Sequence, residues 1–305
     1  MIRLIQYRID AMGRILIGIS SWADPALLKN GFYPEGIKTP AERLGYYSAH
    51  FAVAEIDSAF HIMPTRTNLN LWLTQTPPGF VFDIKVFSLF TGHPTPFSAL
   101  PPFARTDLED YSHRNLYLSL MPPPLVDALW RLFNDLVKPV ADAGKLGVLL
   151  LQFPPWFHAQ HRNMNYITEC KEKLAGYDLA VEFRTNDWFN ERNRETTLEL
   201  LHRLDIAMVC VDGPQGLKTS VEPLAEVTSS VGIIRFHGRN IENWEKRGIT
   251  PVERYKYLYG EDELREWLPR IRKMAAETDE LHIIFKNKYQ DNPVKNANQM
   301  AKLLA

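Results

Sequence analysis

Short apolar, β-branched runs recur along the chain, each followed by a segment with helical punctuation, and this alternation leaves few folds open. Eight runs are found, at residues 15–20, 53–57, 80–86, 146–153, 179–184, 206–212, 232–237 and 281–287. Repetition of strand then helix is the pattern of β-α units around a parallel sheet, because parallel neighbours need a crossover that a helix supplies. Most runs are almost continuously apolar, as expected of strands covered on both faces. With 305 residues, 45% hydrophobic and 23% charged, the chain is long enough to enclose one large core. The pattern predicts an α/β fold: a single TIM-type (β/α)8 barrel over residues 13–305, without an internal domain boundary.

The connecting segments carry helix signals of unequal strength. Thr39-Pro40-Ala41-Glu42 supplies an N-cap, a first-turn proline and a capping-box glutamate, and so predicts a helix through Tyr47. Residues 124–143 have helical periodicity ending at Gly144, with Pro139 expected to kink or shorten the helix. Residues 261–277 and 293–304 complete the seventh and eighth units, whereas a sixth helix within 218–229 is poorly signalled. Two connections exceed what a barrel needs, at 91–124 and 240–260. Long βα loops of this kind form lids or binding walls, or are plain surface insertions. Residues 1–12 precede the first strand and read as a non-structural leader.

A net charge of −1 provides no global field for nucleic acid or an anionic membrane. The two cysteines, Cys170 and Cys210, lie far apart in apolar contexts and are expected to be reduced core residues. No apolar run approaches the roughly 18 residues of a membrane span, and the N-terminus lacks a signal-peptide core. A cytoplasmic protein without a membrane partner is expected. Its oligomeric state is not legible.

Barrel chemistry gathers at the C-terminal strand ends, where the loops converge. Those ends are unusually polar here: Glu55 and Asp57, Lys85, Gln152, Glu182 and Arg184, Asp212, Arg235 with His237 and Arg239, and Lys286-Asn287. Side chains two apart on a strand share a face, so Glu55 pairs with Asp57, Glu182 with Arg184 and Arg235 with His237. Buried charges must be paired with each other, with a ligand, or both. One alternative is a self-compensating network that only closes the barrel top. Trp22, Trp156, Trp188 and Trp244 follow strand ends and could stack on a sugar or base, or could simply plug loops onto the barrel.

These stretches resemble the YecE-like family, TIM-barrel proteins known chiefly as a domain of unknown function. The likeness runs from Gly18 onward through Gly18-Ile19-Ser20-Ser21-Trp22, Phe32-Tyr33-Pro34, Glu55-Ile56-Asp57-Ser58, Leu151-Gln152-Phe153-Pro154-Pro155, Val181-Glu182-Phe183-Arg184 and Arg235-Phe236-His237-Gly238-Arg239. It departs at Phe285-Lys286-Asn287-Lys288, where relatives often pair two asparagines, and at His61, where many have tyrosine. The resemblance implies the barrel fold but no activity.

Three functions fit the residues. The first is a metal-independent enzyme or binding protein for an anionic, phosphorylated ligand, with no cofactor. Lys85, Arg184, Arg235 and Arg239 would clamp oxygens, and Glu182 and His237 would serve as general base and acid. Trp22, Glu55, Asp57, Gln152, Trp188 and Asn287 would complete the ligand site. The second is a divalent-metal-dependent phosphodiesterase or isomerase using Glu55, Asp57, Glu182, Asp212 and His237, although nearby cations would repel the metal. The third is a non-enzymatic protein that binds single-stranded nucleic acid, against which the near-zero charge weighs. The sequence has no G-x-S-x-G elbow, Walker loop, G-x-G-x-x-G after the first strand, or H-E-x-x-H, so the corresponding enzyme classes lack support.

Overall fold

The computed structural model describes residues 6–7, 13–108 and 114–305. Its eight parallel strands are β1 (Arg14–Ser20), β2 (Val53–Ile56), β3 (Val81–Lys85), β4 (Leu146–Gln152), β5 (Leu179–Glu182), β6 (Ile206–Asp212), β7 (Val231–Phe236) and β8 (Glu280–Phe285). Each pairs with the next in sequence, and β8 closes on β1 from Glu280↔Arg14 to Phe285↔Ile19, making a TIM-type barrel. Closure demands a close approach at Gly18, where a Cβ would lie 1.9 Å from the Val53 carbonyl oxygen. The strands match the eight sequence runs to within a residue or two.

Seven longer helices wrap the sheet: α1 (Pro40–Ser48), α2 (Arg66–Thr74), α3 (Pro123–Asp142), α4 (His161–Lys173), α5 (Arg194–Leu204), α6 (Leu268–Ala276) and α7 (Asn292–Leu304). The capping box expected of α1 is present, with the Thr39 side chain and Glu42 satisfying each other's backbone N–H groups. Three expectations are corrected. Residues 213–230 contain no helix, and side-chain bonds stand in for one: Ser220 donates to the Pro214 carbonyl and Thr228 to the Ile206 carbonyl. Pro139 does not shorten α3, which runs on to Asp142; the helix continues although the Asp135 carbonyl loses the N–H that a non-proline residue would have offered it. The segment 261–277 breaks into Glu261–Arg265 and α6, because Pro269 belongs to a first turn rather than a helix interior.

Most of the expected leader lies outside the described residues; Gln6–Tyr7 pairs antiparallel with β1 at Leu16 and Ile15. Cys170 and Cys210 are free and buried. Among the described residues no helix is long and apolar enough to cross a membrane.

Alternation along the strands divides side chains between an outer layer under the helices and the barrel interior. Leu16, Val53, Val81, Leu150, Val209 and Ile284 belong to the small interior clusters, separate from the main core under the helices. Continuing the same phase toward the C-terminal ends turns Glu55, Lys85, Gln152, Glu182, Arg235 and Lys286 inward. This phase, set by the apolar residues, is what builds the site.

Candidate functional site

Arg235, at the end of β7, is fully buried between two carboxylates. Its Nη2 donates to Oε1 of Glu55 at 2.6 Å and its Nη1 pairs with Oε2 of Glu182. The other Glu182 oxygen lies 2.5 Å from Nε of Arg184. Burial opposes ionisation of Glu182, but Arg184 and Arg235 outweigh it and hold the carboxyl well below the usual carboxylate range. Glu182 is therefore a weak base. His237 Nε2 lies 3.4 Å from Glu182 Oε2, and burial drives the imidazole well below its ordinary value, so the ring is neutral. If Nε2 carries the proton toward Glu182, Nδ1 presents a lone pair, and that buried Nδ1 has no hydrogen-bond partner among the described residues. Ser20 Oγ, on the neighbouring inner face, is likewise unpartnered.

Beside this group, three lysines share one acid. Asp57 Oδ1 lies 3.0 Å from Lys85 Nζ and 3.4 Å from Lys286 Nζ, and Oδ2 lies 2.7 Å from Lys288 Nζ. Burial opposes ionisation here too, but Lys286, Lys85 and Lys288 hold the Asp57 carboxyl well below its usual range. The inner mouth thus brings five basic side chains, Lys85, Arg184, Arg235, Lys286 and Lys288, against the carboxylates of Glu55, Asp57 and Glu182. An excess of positive charge survives even when Lys286 is neutral.

Above the charges lies a cavity of about 660 Å³, lined by Gln152, Arg184, Trp156, Trp244 and Tyr255 and by the cations Lys218, Arg247 and Arg254. Arg184 reaches it from the ion-pair network and donates to Gln152 Oε1 at 3.1 Å. His93, from the loop after β3, also lines it, and burial lowers that imidazole to about 3. The long loops after β3 and β7 both contribute walls.

Of the residues singled out in the sequence, Glu55, Asp57, Lys85, Gln152, Glu182, Arg184, Arg235 and His237 come together. Four do not. Trp22 is buried under the helices against Tyr47, Trp72 and Phe82. Trp188 is fully buried, stacked on Phe183 with its Nε1 donating to the Phe157 carbonyl at 2.6 Å. Arg239 is held by Asp212, which also accepts from Tyr259 and Trp267; Asp212 shares the register of Phe236 and so faces the helix layer. Asn287, out of phase with Lys286, donates to the Tyr257 carbonyl and to Asn296. Lys286, Lys288 and Tyr255 were not named as site residues. Continuing the phase from Ile284 would have turned Lys286 inward and Asn287 away.

Among the described residues no group of three or more His, Cys, Asp or Glu side chains is arranged to hold a metal ion. Glu55, Asp57 and Glu182 are instead each engaged by basic groups.

The chain is similar to the UPF0759 protein YunF of Bacillus subtilis strain 168, with 29% identity over 95% of this chain and 94% of the relative. A crystal structure of a DUF72 family protein from Thermotoga maritima MSB8 matches with a TM-score of 0.76 at 27% identity, over 95% of this chain and 98% of that one. A DUF72 family protein from Enterococcus faecalis V583 matches with a TM-score of 0.77 at 23% identity, over 95% of each chain, and shares the fold. A family model described as "Protein of unknown function DUF72" matches residues 16–305, and the chain belongs to that family.

Proposed function

We propose that the barrel mouth binds a small anionic, phosphorylated molecule without a metal ion, and that His237 exchanges a proton with it. The carrying observation is the excess of basic over acidic side chains on the inner mouth. A phosphate entering beside Arg184 would gain charge-assisted bonds, while a divalent cation would meet net repulsion. Arg184 is suited to this role because its guanidinium spans the network and the cavity. In this reading Glu182 fixes the imidazole tautomer, and Nδ1 of His237 is the proton acceptor. The aromatic walls Trp156, Trp244 and Tyr255 would cover the ligand's apolar or sugar portion. The narrower YecE-like likeness and a cytoplasmic setting belong to this reading.

The test is a thermal melt with glycerol 3-phosphate against glycerol, both with EDTA. Binding to the folded state alone at one hundred times the dissociation constant adds about 2.7 kcal/mol, enough for a rise of several degrees. Arg184→Gln should remove the rise. Stoichiometric zinc or manganese in the purified protein, with stability lost on chelation, would give the site to metal-dependent chemistry instead.

A further inference from the structure

Lys286 has no part in the proton exchange just described, and its setting differs from that of an ordinary lysine. Its side chain is 5% exposed, with Nζ 3.4 Å from Asp57 and 3.9 Å from Glu55. Lys85 and Lys288 hold the same Asp57 at 3.0 and 2.7 Å. One carboxylate cannot balance three ammonium groups, and Lys286 makes the longest of the three contacts. Burial pushes its amine well below the lysine range, with repulsion from Lys85 and Arg235 acting in the same direction against attraction from Asp57 and Glu55. A desolvated amine beside other cations keeps its lone pair free for attack on a carbonyl. Nζ lies 5.8 Å from the centroid of the Tyr255 ring, and Tyr255 is also a wall of the cavity, so this one ring touches both surroundings.

We infer that Lys286 is the nucleophile for a phosphorylated aldehyde or ketone, which it captures as an imine at the barrel mouth. This rests on the anion-binding reading, the phosphate lying toward Arg184. Nζ attacks the carbonyl carbon, a C–N bond forms, and the carbonyl π pair moves to oxygen. That oxygen takes one proton from the amine and a second from the Lys85 or Lys288 ammonium, then leaves as water. The nitrogen lone pair closes the C=N bond, and the remaining N–H stays on a cationic imine. In sum, one amine, one carbonyl and one proton give one iminium and one water.

The experiment treats the full chain with dihydroxyacetone phosphate, reduces with sodium borohydride and maps the adduct by mass spectrometry. Glycerol 3-phosphate, the same skeleton without the carbonyl, serves as the non-covalent probe. Expected is one dominant adduct, on Lys286, with every other lysine labelled only in the minority. Lys286→Met should lose the adduct and keep the melting shift with glycerol 3-phosphate, while the surface control Lys138→Met keeps both. A melting shift with glycerol 3-phosphate but no adduct on Lys286, or adducts spread evenly over surface lysines, overturns the imine and leaves the anion site standing. No shift with either compound removes the anion site and the imine together. Mapping on the unmodified chain decides the matter even if Lys286→Met fails to fold.

Discussion

Arg235 shows how one residue can be structural and functional at once. Its guanidinium lies fully buried between Glu55 and Glu182, so truncation would take from Glu55 its nearest cation and leave Glu182 to Arg184 alone among the arginines. Removing one member of a buried ion pair typically costs about 3–5 kcal/mol. Arg235→Met is expected to lose about that much in urea denaturation, whereas Arg184→Gln, at the cavity edge, should lose clearly less. Equal losses would mean that Arg184 is as structural as Arg235 and a poor probe of binding. The same contrast explains what was legible residue by residue. Same-face pairing found Glu55, Asp57, Glu182, Arg184, Arg235 and His237, because period two is a property of the strand itself. Asp212 and Asn287 stand near strand ends but out of that phase and sit on the other face, while Arg239, two residues on from His237, lies past the end of β7 and beyond Gly238 at φ 87°, where it pairs with Asp212. Trp22 and Trp188 show that an aromatic after a strand is as readily core as rim.

At the level of elements, legibility followed the strength of local chemistry. Parallel strands announce themselves because burial on both faces demands apolar runs, and all eight were found. Helix α1 was equally plain, since its cap is written into Thr39 and Glu42. Thr39→Ala should cost about 1 kcal/mol, readable as a lower urea midpoint at unchanged slope; no shift would mean that packing of Leu44 and Tyr47 alone holds the helix. Between β6 and β7 no such signal exists, and the chain crosses the sheet without a helix, tied by Ser220 and Thr228. Local rules did not reveal that tertiary bonds could replace an element outright. The loops after β3 and β7 were read correctly as long, but their meeting over one cavity is a consequence of barrel closure that no single segment carries.

Across the whole molecule the two barrel ends treat buried histidine in opposite ways. At the mouth, His237 is held neutral among cations; toward the N-terminal end of β8, His282 Nδ1 lies 2.9 Å from Asp83 and Nε2 lies 3.2 Å from Glu280, which in turn holds Arg14. Burial opposes the charge on His282, but Asp83 and Glu280 raise the imidazole to about 9. Because the folded state binds this proton more tightly than an unfolded histidine near 6.5, its contribution is complete below about pH 6.5 and is lost as pH rises through 9. The shift corresponds to about 3 kcal/mol. Lys286 acts in the reverse sense: an amine depressed in the folded state makes stability rise with pH below the unfolded lysine value, so the wild-type profile alone shows only a difference of terms. Comparison with His282→Gln isolates the histidine. The stability advantage of wild type over that variant, from urea melts, should shrink by about 3 kcal/mol between pH 6 and pH 9.5. A constant advantage across that range would mean that His282 is neutral in the folded barrel and that its bonds to Asp83 and Glu280 carry no charge.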